Sequence, residues 1–333
     1  MSLKLSPERA KGRFINPHAR AIRRSLFDVL LWKMGFYDDV ASVSSIPKDF
    51  SYPMPEKALI PDAPTVQWIN HSTFIVRMMG LTFLTDPIWS KRCSPFSFLG
   101  PKRKHPPSVK LEGIGHVDYV LISHNHYDHL DKTTVKRLHA LYPNITWYVP
   151  IGVRKWFAKL GIHNVIELSW WEEVSFKAGS DKSIELTITS TPCQHFSGRK
   201  ISDFNKTLWS GWVVEAKKGE THKRFYFVGD TGYNPYDFKA VGSKWKRMDL
   251  SLIPIGCYSP RIFMAPVHTD PVDAIKIHKE VGSELSIAMH WKTFRLSDEG
   301  LLRPPFDLYQ NLQEEKMDPL TFLAPVPGYE INW

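Results

Sequence analysis

The stretch Leu121–Asp131, LISHNHYDHLD, constrains this chain more than any other. It sets His124, His126, Asp128 and His129 close together. An apolar run that reads as a buried strand, Val117–Ser123, comes just before it. Asp131–Leu141 follows, with Val135, Leu138 and Leu141 on one helical face. A strand end holds side chains at the mouth of a core, and the turn after it lets several of them converge. Two imidazoles spaced by two point the same way while the backbone is extended. Asp128 and His129 can then swing toward a second centre. Imidazole nitrogen and carboxylate oxygen are ligands for zinc and similar borderline metals.

One such cluster does not complete two metal shells, so more donors are expected at other strand ends. His195 follows the alternating strand Ile184–Ser190 in TPCQH. Asp230 ends Arg224–Val228 in FVGDTGY, where Gly229 and Gly232 permit tight turning. His290 ends Leu285–Met289 in IAMHW. Asp86, in LTDP after the strand Leu81–Thr85, is a candidate acceptor behind a ligand imidazole. Asp131 reads as a helix cap. His268 stands before a helix that Asp270 caps, Pro271 opens and Gly282 ends; it is a candidate for binding phosphate or protonating a leaving group. There is no G-x-S-x-G elbow, and Cys193 reads as a small buried residue rather than a nucleophile.

The chain has 333 residues, a formal charge of +9 and three cysteines, Cys93, Cys193 and Cys257. The odd, scattered cysteines exclude a disulfide framework and fit a cytoplasmic compartment. The charge favours anionic partners. No apolar run reaches the roughly 18 residues that span a bilayer, and the first 25 or so lack a secretory pattern. We divide the chain into an extension, residues 1–62, and a catalytic domain, 63–333. The extension carries a helical pattern at Ser25–Phe36, with Leu26, Val29, Leu30 and Met34 on one face, which packs on the domain or touches membrane. In the domain, Val66–Ile69, Thr73–Met78, Trp147–Val149, Leu208–Glu215 and Leu250–Ile255 read as further strands, and Val153–Leu160 as a helix. Two halves, each running from strands into helices, suit a layered α/β sandwich. Lys102, Arg103 and Lys104 read as a solvated loop, with contact to an anionic headgroup as the alternative, and Trp170 and Trp171 read as core, with an acyl groove as the alternative.

Taken in order, LISHNHYDHLD, TPCQH, VGDTGY and AMHW resemble the metallo-β-lactamase superfamily. FLTDPIWS, GPKR, the Trp170–Glu173 run, IPIG and HTDP are similar to its N-acylphosphatidylethanolamine-hydrolysing phospholipase D branch. The resemblance spans about residues 65–295 and implies an αββα sandwich. It implies two zinc ions, although Mn or Fe suits the same ligands. His124, His126 and His195 would hold the first ion, and Asp128, His129 and His290 the second. Asp230 would bridge them together with a hydroxide. The implied enzyme is a dinuclear zinc phosphodiesterase acting on an anionic phospholipid; the N-terminal helix would allow peripheral contact with membrane. Nucleic acid is disfavoured, since no basic-aromatic stripe is evident; the first 60 or so residues could cover a neighbouring subunit. The alternatives are a lactonase or sugar-phosphate esterase of the same fold, and a non-catalytic, metal-binding regulator at the membrane.

Overall fold

The computed structural model describes residues 6–19, 31, 32, 34–37, 45–56 and 59–333. Most of the expected helix Ser25–Phe36 lies outside the described residues. A two-strand hairpin, β1 (Arg9–Ala10) and β2 (Arg13–Phe14), precedes the main body.

Two seven-stranded sheets form that body. The first half of the chain supplies β3 (Thr65–Asn70), β4 (Thr73–Met78), β5 (Leu81–Thr85), β6 (Tyr119–Leu121), β7 (Thr146–Pro150) and β8 (Val165–Leu168). The second half supplies β9 (Glu173–Ala178), β10 (Ile184–Thr191), β11 (Gly211–Lys218), β12 (Thr221–Phe227), β13 (Met248–Pro254), β14 (Ser283–Met289) and β15 (Phe322–Leu323). The last strand, β16 (Glu330–Asn332), returns to the first sheet and pairs antiparallel with β3. Each half begins with antiparallel strands and changes to parallel, at β5–β6 in one and β12–β13 in the other. Met79 and Gly80, at φ 52° and 78°, make the two-residue turn between β4 and β5. Positive φ at both central residues matches the twist of the flanking strands.

Parallel strands require crossovers, and helices provide them. After β6 comes α1 (Lys132–Leu141), where Asp131 caps by accepting from the Thr133 amide at 3.3 Å. The short α2 (Arg154–Ala158) follows β7. In the second half come α3 (Asp237–Trp245), α4 (Arg261–Met264), α5 (Pro271–Glu280) and α6 (Arg303–Glu314). Asp270 caps α5 by accepting from the Asp273 amide at 2.8 Å. The main core fills the space between the sheets, where Trp68, Phe74, Val76 and Phe83 meet Leu186, Ile188, Trp212, Phe225 and Phe227. A second core, with Ile75, Leu84, Val120, Val135, Leu138 and Phe157, seats α1 and α2 on the outer face of the first sheet. This is the expected αββα sandwich.

Several expectations need correction. The run Val117–Ser123 forms ladder pairs only at Tyr119–Leu121, because the Ser123 amide turns away to donate to Asp86 Oδ1 at 2.7 Å. The strand expected at Leu208–Glu215 begins at Gly211, since Leu208 and Trp209 pack instead with Phe14, Trp170 and Cys193. Trp170 is core, as one of its two readings had it: its Nε1 donates to the Trp209 carbonyl at 2.7 Å. Trp171 stacks on Trp245. Arg103 faces inward rather than toward a headgroup, donating to the carbonyls of Ser90 and Ile88 at 2.9 and 3.0 Å.

Candidate metal centre

The polar residues of interest stand on loops leaving the strands. Asp86 follows β5, His124–His129 follow β6, His195 follows β10, Asp230 follows β12 and His290 follows β14. Gly229 has φ 71°, and a Cβ there would lie 2.9 Å from Ser123 Cβ and 3.0 Å from the Ser210 carbonyl. Only glycine lets the Asp230 turn come this close to the base of the His124 loop.

Two groups of donors result. In one, His124, His126 and His195 converge. His126 Nδ1 lies 2.7 Å from His124 Nε2 and 3.3 Å from His195 Nε2. In the other, Asp128, His129 and His290 converge with His71. Asp230 Oδ2 is 3.1 Å from His129 Nε2, 2.9 Å from His290 Nε2 and 3.9 Å from His195 Nε2, so it faces both groups. The structure thus brings together all seven residues expected as ligands.

What lies behind the rings fixes which nitrogen faces inward. His195 Nδ1–H donates to the Val267 carbonyl at 2.9 Å, leaving a lone pair on Nε2. His129 Nδ1–H donates to Asp86 Oδ2 at 2.6 Å. The single Ser123 hydroxyl proton goes to Asp86 Oδ2 at 2.5 Å. Ser123 Oγ must then accept from His124 Nδ1–H at 2.8 Å, which again leaves Nε2 free to bind. Asp86 is fully buried and all its polar partners here are donors, so it acts as a carboxylate although burial pushes its pKa up. It orients two imidazoles, one from each group.

Charge is divided unequally. Burial and neighbouring imidazoles keep His124 well below the usual histidine range and lower His126 to about 3. Burial also lowers His195 to about 4. That trio is neutral, with lone pairs available. In the other group burial works against ionisation, yet His129 and its imidazole neighbours hold Asp128 and Asp230 well below the usual carboxylate range. Burial likewise opposes protonation of His290, but Asp230 and Asp128 outweigh it and push His290 up to about 9.

The donor set fits metal ions. His129 Nε2, His290 Nε2 and Asp230 Oδ1 are buried and have no hydrogen-bond partner among the described residues. Buried polar atoms without partners are uncommon, and an ion held by these residues would account for them. His268 lies at the edge, its Nδ1 3.9 Å from Asp230 Oδ2. His71 was not expected from the sequence. It sits in the β3–β4 turn, its Nε2 3.0 Å from Asp128 Oδ2. The only hint was a polar run, Asn70-His71-Ser72-Thr73, between two apolar strands. Cys193 is buried at the foot of the His195 loop, and burial raises its thiol well above the usual range.

The centre opens into a pocket of about 550 Å³. His126, Asp128, Asp230 and His268 form its floor, and Phe196, Phe204, Phe263, Met264, Val267 and Leu296 line its walls.

Residues 82–291 match the beta-lactamase superfamily domain. The chain belongs to that family: it is a hydrolase of the metallo-β-lactamase fold, with His/Asp clusters able to bind metal. Within the family it is similar to N-acyl-phosphatidylethanolamine-hydrolyzing phospholipase D 1 of Caenorhabditis elegans. The two are 42% identical over 75% of this chain and 70% of that one. The mitochondrial N-acyl-phosphatidylethanolamine-hydrolyzing phospholipase D of Saccharomyces cerevisiae is 33% identical over 71% of this chain and 49% of its own length. Among solved structures, an isothiocyanate hydrolase from Delia radicum gut bacteria shares the fold. It superposes with a TM-score of 0.61 at 20% identity, over 81% of this chain and 99% of that one.

Proposed function

We propose that the chain is a zinc-dependent phosphodiesterase of phospholipase D type that acts on N-acylphosphatidylethanolamine-like lipids. The observation that carries this reading is the pocket: a floor of His and Asp beneath walls that are almost entirely aromatic and aliphatic. Such a pocket suits a substrate with a charged phosphodiester and acyl chains. A lactone or sugar phosphate would be expected to meet more polar walls.

His124, His126 and His195 would hold one ion, Asp128, His129 and His290 the other, and Asp230 would reach both. Paired ions of this kind supply water of lowered pKa and neutralise charge on phosphoryl oxygens. The chain's own part is orientation. Asp86, Ser123 and the Val267 carbonyl fix the inward-facing nitrogens, and the apolar walls exclude bulk water. His268 is kept neutral by burial, so in this reading it offers one N–H to a phosphoryl oxygen rather than delivering a proton.

The mouth of the pocket supports a lipid surface as partner. Next to the lining residues Cys93 and Pro101, Phe96, Phe98 and Leu99 are 52%, 76% and 61% exposed. Adjacent in sequence to two further lining residues, Ile262 is exposed beside Phe263, and Met34 and Phe36 are exposed near Trp32. Lys91, Arg92, Lys102 and Lys104 flank the Phe96–Leu99 loop. Clustered exposed apolar side chains rimmed by cations mark an interaction surface, and anionic lipid suits both components. No helix among the described residues is long and apolar enough to cross a membrane.

The test is direct. Zinc-loaded protein should release phosphatidic acid from N-acylphosphatidylethanolamine presented in vesicles. Failure to cleave any phosphodiester, lipid or synthetic, would overturn the reading.

A further inference from the structure

The second donor group contains a histidine outside the expected ligand set. His71 is buried, and its contact with Asp128 Oδ2 at 3.0 Å has the geometry of a hydrogen bond. The contacts of His129 and His290 with Asp230 are similarly close, yet their Nε2 atoms make no hydrogen bond. The donor atoms of His71, Asp128, His129 and His290 lie within 4.8 Å of one another, but of the three imidazoles only His71 hydrogen-bonds a carboxylate oxygen through Nε2. A carboxylate only accepts, so the proton of that bond belongs to His71 Nε2. The nitrogen therefore has no lone pair to offer an ion.

The backbone of His71 is held just as firmly. Its φ is 45°, a left-handed value that costs a β-carbon-bearing residue energy and persists only where the surroundings impose it. Three bonds impose it here. The His71 amide donates to Thr293 Oγ1 at 2.8 Å. The His71 carbonyl accepts from Trp68 Nε1 at 2.8 Å and from the His290 amide at 3.1 Å. The His71 ring lies 4.1 Å from the His290 ring, centroid to centroid. His290 Nδ1 is buried and has no hydrogen-bond partner among the described residues. The usual hydrogen bond behind a ligand imidazole is thus missing at His290, which His71 supports instead through ring contact and through a carbonyl that accepts from the His290 amide.

We infer that His71 is a positioning residue for the second ion: it orients Asp128 through Nε2–H and buttresses His290 through its ring and carbonyl. This rests on the two-ion reading above. Residues that orient metal ligands typically govern 10–100-fold of metal affinity.

The experiment compares wild type with His71→Phe, which keeps a ring but removes the donor, and with His71→Gln, which restores an N–H able to reach Asp128. Ions retained per chain are counted by elemental analysis after equilibration with a competing chelator. His71→Phe should lose one of two zinc ions, with affinity for that ion down about 10–100-fold and the other unchanged. His71→Gln should recover most of the loss. Should His71→Phe fail to fold, His71→Asn, too short to reach Asp128, replaces it in the comparison with Gln. Two ions held at wild-type affinity by the Phe or Asn variant would overturn the inference alone. So would a Gln variant as depleted as Phe, because the ring would then itself be a ligand. Wild type retaining fewer than two ions would instead overturn the two-ion reading, and this inference with it.

Discussion

Replacing Asp86 with Asn changes almost no volume yet should disturb both donor groups at once. Asp86 Oδ1 accepts from the Ser123 amide, while Oδ2 accepts from Ser123 Oγ and His129 Nδ1. In Asp86→Asn the amide oxygen must stay on the Ser123 N–H, so the NH₂ group takes the place of Oδ2. It then presents donors to two atoms that had been donating. His129 can accommodate this only by accepting at Nδ1, which moves its proton to Nε2, the atom facing Asp230. Ser123 Oγ would accept from the new amide, so its own proton is free to go to His124 Nδ1, and the His124 proton moves to Nε2 as well. One inward lone pair is lost from each group. Disturbed support of this kind costs about 10–100-fold in affinity, or roughly 1.4–2.7 kcal/mol per ion. The assay is competition with a graded chelator, read for each ion, with the melting temperature of metal-free protein as a check on folding. A folded Asp86→Asn that binds both ions as tightly as wild type would refute the tautomer argument. A loss confined to the ion of the His129 group would refute the link through Ser123.

Asp230→Asn should lose metal and hydrolysis together, because it removes the carboxylate that faces both groups, whereas Cys193→Ala should leave both nearly intact; equal damage would contradict the assignment. Metal affinity of the His129/His290 group should rise with pH between about 6 and 8. His290 is held near 9, so an incoming ion must displace its proton there. The His126/His195 group, with values of about 3 and 4, should be nearly indifferent over the same range. Zinc titration in weak buffer, recording protons released, separates the two. Phe98→Ser combined with Leu99→Ser should reduce cosedimentation with anionic vesicles severalfold and leave cleavage of a soluble phosphodiester unchanged. Unaltered vesicle binding would remove that loop from the proposed surface.

The sequence was most legible where geometry is local. His124 to His129 lie within one turn, and a strand end followed by a helix leaves few ways to arrange them. The caps of α1 and α5 could be read because Asp131 and Asp270 act on amides two or three residues away. His71 escaped notice because its meaning comes from Asp128, 57 positions along the chain and on another loop. Edge elements were hard to see for a related reason. In β9, EVSFKA exposes charged side chains on the outer strand of a sheet, so its apolar signal is weak. The three residues of β16 become a strand only because β3 offers an open edge. The basic run Lys102–Lys104 misled at Arg103, whose guanidinium is taken up by local carbonyls. Composition does not record which way a side chain turns.

Each donor group draws from both halves of the chain: His124 and His126 meet His195, and Asp128 and His129 meet His290. Neither half could assemble either set by itself. Ions seated there would work as rivets through the seam between the two sheets, so stripping them should loosen one sheet against the other before either frays. Any slippage along that seam would in turn be felt first where the chemistry happens.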